Sequence, residues 1–357
     1  MNPFEQLGEN YQKGRGAQIN PANRFDKLSY ESELDITPLE TETRRTEYIE
    51  VYPKTMINNV ASPDLPMDWS VNPYQGCEHG CVYCYARNTH NYWGYSAGTD
   101  FETTILVKKN AAKLVEEKIK SKSWKVSPIM LSGNTDCYQP IERKLEITRG
   151  ILEVMWRHRH PLSIITKNSL VLRDLDLLKK MADNGLVRVA ISVTTLDEHL
   201  RRRLEPRTAS VHSRLFTIEK LASNGIPVSV MFAPIIPGLN DNEIFKLAEY
   251  TSGLGALSFG YTVVRLNGDI GAIFEDWVRK NLPSRADKVL NRIKDLHGGQ
   301  LLGDSRFGDR MRGQGNFAEI IRSQVQLARR KFFTGREVPP FNLDMFEELR
   351  HPQMSLF

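Results

Sequence analysis

Six apolar runs of strand length, each followed by a stretch with helical periodicity, constrain this chain more than any other feature. They fall at residues 69–72, 126–133, 162–166, 187–193, 226–238 and 256–264. The runs are nearly continuous in Val, Ile, Leu and Met rather than alternating, the pattern of strands covered on both faces. The stretches between them read as helices, including 142–158 and the segment SLVLRDLDLLKKMADNG, with Ser at its start and Gly at its stop. A further short strand in FETTILVKK stands between the first and second runs. It precedes a helix in which Leu114, Val115 and Ile119 share one face. Strands alternating with helices imply βα units and a parallel sheet with right-handed crossovers. Six units over residues 61–265 predict a partial (β/α)6 barrel of TIM type, an α/β fold whose chemistry gathers at the C-terminal strand ends.

The flanks read differently. Residues 1–60 mix Gly, Asn, Pro and charge with little period, so they are expected to be a partly disordered extension ending in a short strand at TEYIEVYPK. Beyond 265 the rhythm stops. Residues 266–336 read as helices around a Gly- and Arg-rich loop, GDSRFGDRMRGQGN, and form an appended region able to cover the open side of the barrel. Residues 337–357 read as a loosely held tail. Residues 283–336 carry twelve Lys or Arg against five Asp or Glu, while 1–60 carry seven against ten. No apolar run reaches the roughly eighteen residues that span a bilayer. The start, MNPFEQLGEN, has neither a basic nor an apolar leader segment. The expectation is a cytoplasmic protein without a membrane partner.

At the end of the first strand lies NPYQGCEHGCVYCY, residues 72–85. It places three of the chain's four cysteines, Cys77, Cys81 and Cys84, at spacing C-x3-C-x2-C, with Cys137 far off. Three thiolates so close together can hold three irons of a cubane cluster and leave the fourth iron open. Zinc is the alternative, with His90 completing a Cys3His set in the absence of a second paired motif. A disulfide framework fits a reducing compartment poorly. Residues 82–91 are predicted to be a helix.

This loop resembles that of the radical SAM superfamily, in which C-x3-C-x2-C binds a 4Fe-4S cluster and S-adenosylmethionine occupies the free iron. That family uses the same partial barrel. Tyr83 matches its aromatic residue before the third cysteine, expected to pack beside the cluster. Within the family the chain is most similar to the spore photoproduct lyase-like (DNA repair photolyase-like) branch. The similarity lies in ITK at 165–167, AISVTTLDEHLRRRLEPRTASVHSRL at 190–215 and FAPIIPG at 232–238. It implies that Lys167 and Ser192 contact the cofactor carboxylate. The loop of Ser132, Gly133, Asn134, Thr135 and Asp136 then receives its amino group, though the same residues make a good turn. Pro234 and Gly238 shape a loop facing the adenine, and Arg207 either orients its loop, reaches the ligand, or pairs with Glu205.

The implied activity is reductive cleavage of S-adenosylmethionine to a 5′-deoxyadenosyl radical, which abstracts hydrogen from a substrate. The electron comes from a donor such as flavodoxin or ferredoxin. In true spore photoproduct lyase a hydrogen-donating cysteine lies three residues before the aspartate of the second-strand loop, where this chain has Gly133. Cys137, directly after Asp136, is either a shifted hydrogen donor or a plain loop thiol. Two substrate classes stay open. Arg306, Arg310, Arg312, Arg329, Arg330 and Lys331 would line a groove for nucleic acid with Phe307 available to stack. Otherwise they are surface charge, and the substrate is a peptide or small metabolite. A non-catalytic zinc or Fe-S module is the remaining alternative.

Overall fold

The computed structural model describes residues 11–25, 45–299 and 302–350. Ten strands follow in chain order: β1 (Glu47–Val51), β2 (Ile57–Asn59), β3 (Trp69–Val71), β4 (Tyr74–Gln75), β5 (Thr104–Lys108), β6 (Ile129–Leu131), β7 (Leu162–Thr166), β8 (Val187–Ser192), β9 (Val228–Ile235) and β10 (Ser258–Val263). The large sheet runs β10-β9-β8-β7-β6-β3-β2. Its six strands from β3 to β10 are parallel, and β2 adds antiparallel at the edge. The expected partial (β/α)6 architecture is therefore present. Each outer helix buries one stripe against it: Ala111, Val115 and Ile119 in Ala111–Lys120, Ile151, Leu152 and Met155 in Ile147–Arg157, and Leu177, Leu178 and Met181 in Leu175–Ala182. Gly185 follows the last of these helices and Gly225 follows helix Val211–Ser223, at φ of 69° and 74°, a conformation that costs a side chain with a Cβ.

Several details depart from expectation. The strand at 104–108 leaves the barrel and pairs with β1 and β4 in a separate three-stranded sheet. The helix expected at 82–91 is a 3-10 run, Tyr85–Trp93. The buried Arg87 takes the Cys81 carbonyl and the chain winds tightly, Cys84 N–H onto Cys81 O and Arg87 N–H onto Cys84 O. The helix expected at 142–158 breaks at Glu146, φ 51°, because the Glu142 carboxylate turns inward to accept the Thr148 N–H of the next helix.

The described part of the extension packs on the fold. Residues 1–10 and 26–44 lie outside the described residues, but Ala17 is fully buried and β1 joins the small sheet. The tail is not loose up to residue 350. Asp344–Arg350 is a helix whose Phe346 is buried edge-on against His160, and Arg350 bonds the carbonyls of Ser121 and Trp124. The C-terminal region meets the barrel at several points. Helix Gly315–Phe332 packs outside, its Arg329 reaching the Phe259 carbonyl of β10. Helix Asp269–Asn281 instead closes the seam of the barrel: Asp269 accepts from Asn91 and Trp277 donates to the Arg203 carbonyl. Among the described residues no helix is long and apolar enough to cross a membrane.

Candidate active site

The cysteine loop sits at the C-terminal end of β3, where the parallel strands of the barrel open. Each residue between its first two cysteines is tied to a different part of the fold. Glu78, 1% exposed, accepts from the Ile141 N–H, the Tyr48 hydroxyl and Arg207. His79 places Nδ1 3.3 Å from Asp136 and Nε2 3.2 Å from Asn168. Gly80 abuts Gly16 so closely that a Cβ on Gly16 would stand 1.8 Å from its carbonyl oxygen. Behind the loop, Glu102 receives the N–H groups of Gly16 and Ala17 and pairs with Arg87, both side chains sealed from solvent. A loop fixed at this many points presents its thiols with little freedom left to lose on binding.

All four cysteines are free. Burial first, then Asp136, then the thiols of Cys81 and Cys84 push the Cys77 thiol upward, so the trio sense one another. Three neighbouring thiols suit a cluster in which each iron takes one sulfur. His90 is buried between Tyr95 and Phe101, at ring distances of 5.2 and 5.6 Å, and burial lowers its pKa to about 4.

Lys167 and Ser192 end β7 and β8, which are aligned Thr166 against Ile191, so the two stand side by side at the mouth. Burial disfavours the Lys167 charge, but Cys81 and Glu205 outweigh it and raise its pKa. Lys167 thus faces the cysteine loop. Ser192 is 2% exposed, its carbonyl held by Arg214.

The loop after β6 is mostly occupied by its own bonds. Burial would raise the Asp136 pKa, yet His79, the Lys167 N–H and the Thr166 hydroxyl, the latter two at 2.8 and 2.7 Å, hold it near 2. Its carboxylate therefore ties β7 to the cysteine loop rather than waiting for an ammonium. The Ser132 hydroxyl accepts from the Cys137 N–H, Thr135 donates to the Tyr74 carbonyl, and Gly133 O accepts from Tyr85 at 2.6 Å. Asn134 alone keeps its side-chain oxygen without a hydrogen-bond partner among the described residues; its N–H donates to Asn72 and its amide to Thr89.

The expectations for Cys137 and for the Arg207–Glu205 pair are corrected. Cys137 is fully buried in the core, and burial followed by Asp136 pushes its thiol up, so it faces no opening through which to donate hydrogen. Arg207 bonds Glu78 at 3.2 Å, not Glu205. Tyr83 is buried with its hydroxyl donating to Glu205. Gly238, φ 84°, lies against Arg292 of the C-terminal region, its N–H bonded to Asp241, and the Pro234 carbonyl is held by Asn240.

Sequence reasoning missed Glu205. Fully buried, it accepts from Tyr83, from Thr194 at 2.6 Å and from Arg214, and it lies beside Lys167 and Cys81. It also missed Tyr85, whose hydroxyl crosses the mouth to Gly133, and Arg265, whose guanidinium lies 5.2 Å over the Tyr85 ring.

Residues 71–251 match the model of the radical SAM superfamily. A Mycobacterium tuberculosis protein of uncharacterized function is 33% identical over 251 residues, covering 70% of this chain and 73% of its own. One from Methanocaldococcus jannaschii is 30% identical over 249 residues, covering 70% and 88%. In fold, the chain is similar to a tyrosine-to-phenylalanine variant of spore photoproduct lyase, with a TM-score of 0.62, 17% identity and coverage of 88% and 89%. It is also similar to that lyase complexed with dinucleoside spore photoproduct, with a TM-score of 0.59, 16% identity and coverage of 81% and 80%. Cysteine loop, strand-end lysine and family match agree: the chain belongs to the radical SAM superfamily, whose enzymes use a 4Fe-4S cluster and S-adenosylmethionine.

Proposed function

We propose that this enzyme cleaves S-adenosylmethionine reductively at a 4Fe-4S cluster held by Cys77, Cys81 and Cys84 and takes a hydrogen atom from a nucleic-acid substrate. The observation that carries the first part is the placement of the three cysteines just after β3 with Lys167 and Ser192 side by side at the ends of the neighbouring strands β7 and β8. When bound, the cluster and sulfonium supply the electron transfer and the carbon radical; the chain supplies position. Lys167 and Ser192 hold the carboxylate, and Asn134 offers an oxygen to the ammonium. The buried set of Glu205, Tyr83, Thr194 and Arg214 fixes the wall behind them and keeps water out. A small one-electron carrier of the flavodoxin or ferredoxin kind delivers the electron.

The nucleic-acid substrate is supported by likeness to a lyase that has been solved with a dinucleoside, and by exposed Arg312, Arg330 and Lys331 in the basic region. A peptide or small metabolite is favoured instead by the state of the other cations. Arg306 pairs with Asp304 and Arg310 with Asp64, both at 2.6 Å, and Arg329 bonds a carbonyl. Two experiments decide. Anaerobic reconstitution followed by dithionite should yield 5′-deoxyadenosine by chromatography; a brown protein that leaves S-adenosylmethionine intact contradicts the activity. Binding of single-stranded DNA should weaken steeply with salt, and salt-independent or absent binding turns the substrate toward the second class.

A further inference from the structure

We propose that Arg265, lying across the ring of Tyr85 at the end of β10, forms the phosphate-recognition site of the substrate pocket; this deepens the nucleic-acid reading and rests on it. β7 and β10 each deliver one cation to the mouth. Lys167 faces the thiols, whereas Arg265 stands farther round the barrel, on Tyr85 and beside Cys84. Tyr85 directly follows the last cysteine, is anchored by its hydroxyl to Gly133, and remains 46% exposed. Its ring is thus a fixed floor that orients the guanidinium and leaves the open edge of the fork to a ligand.

The surrounding charges leave that fork unsatisfied. Among the described residues Arg265 makes no ion pair and no side-chain hydrogen bond. Asp64 is the acid nearby, but Arg310 takes it at 2.6 Å and the Gly308 N–H at 2.7 Å. Two guanidiniums therefore share one carboxylate whose acceptors are engaged. A half-buried guanidinium without an anion is costly to maintain unless a ligand completes it. Its planar fork matches two oxygens of a phosphate. The loop from Asp304 to Gln314 frames the site. It runs beside β10, where Met311 O accepts the Val263 N–H, and Arg310 also reaches Ser62 at 2.6 Å. A phosphodiester seated there would hang the attached sugar and base over Tyr85, next to the cysteine loop.

The test uses reconstituted holoprotein with saturating S-adenosylmethionine, so that Lys167 is already engaged. Inorganic phosphate is titrated by calorimetry into wild type, Arg265→Gln and Arg265→Lys. The expectation is saturable binding to wild type, weakened at least about tenfold in Arg265→Gln, the scale of a lost charge-assisted bond. Arg265→Lys should recover part of it. Iron content and melting midpoint equal to wild type show that the variants are folded. Equal phosphate binding by wild type and Arg265→Gln, or none by wild type, overturns the proposal. A second arm titrates a thymidine dinucleoside monophosphate and its uncharged methylphosphonate analogue. Wild type should prefer the charged form and Arg265→Gln should not. If phosphate binding depends on Arg265 but neither dinucleoside binds, the site stands and the nucleic-acid reading falls.

Discussion

Replacing Glu205 by Gln removes one charge from a fully buried network without changing its shape. The carboxylate accepts from the Tyr83 and Thr194 hydroxyls and pairs with Arg214, which is 1% exposed. Burial alone would raise its pKa, but Arg214, then Lys167 and the two hydroxyls, bring it from 4.5 down to about 2. At about 1.4 kcal/mol per pH unit this is on the order of 3 kcal/mol of folded-state preference for the ionised form. The independent expectation for a buried cation stripped of its partner is about 3–5 kcal/mol. Because the folded pKa is depressed, that stability is fully present above pH 4.5 and is lost as pH falls through about 2. Urea denaturation at pH 7 should therefore show Glu205→Gln less stable by about 3 kcal/mol. The melting midpoint should fall by roughly 6 °C at about 2 °C per kcal/mol. A variant within about 1 kcal/mol of wild type would refute the reasoning, since Arg214 could not then depend on this carboxylate.

Lys167→Ala should weaken S-adenosylmethionine binding by roughly tenfold or more while the reconstituted protein keeps its brown colour; unchanged affinity by equilibrium dialysis removes Lys167 from the site. Gly16→Ala puts a Cβ 1.8 Å from the Gly80 carbonyl, so the N-terminal segment must leave the cysteine loop. Iron retention after gel filtration should fall, and retention equal to wild type means that the segment does not brace the loop. Phe346→Ala removes a ring that is 4% exposed and packs 4.9 Å from His160, which should cost about 3 kcal/mol in denaturation. A negligible cost would show that the last helix does not hold the base of the barrel.

The barrel was legible because apolar runs of strand length recur between stretches of helical period, and that length and rhythm separate strands from buried helices. Lys167 and Ser192 were legible for a related reason, since a polar residue directly after such a run stands at a strand end. What the sequence hid were the buried charges. Glu205 in LEPRTAS looks like a surface partner for Arg207 two residues on. Only the fold shows that Arg214, one helical turn into the next element, reaches back to it. Asp136 looked available because it stands in a loop at a strand end of the barrel; in the structure His79, Thr166 and the Lys167 N–H use its oxygens. Cys137 was placed near the mouth by chain position, yet the turn at Ser132, φ 74°, sends it into the core. The tail up to residue 350 was misjudged for want of period. Short segments held by carbonyl and carboxylate bonds need none.

The central claim is that Cys77, Cys81 and Cys84 hold a 4Fe-4S cluster with one iron left to S-adenosylmethionine. Electron paramagnetic resonance of the reconstituted, dithionite-reduced protein tests it most directly. The account predicts a reduced 4Fe-4S signal that changes when S-adenosylmethionine is added, and its loss in Cys81→Ala. A signal indifferent to S-adenosylmethionine, or one that survives in Cys81→Ala, would contradict it.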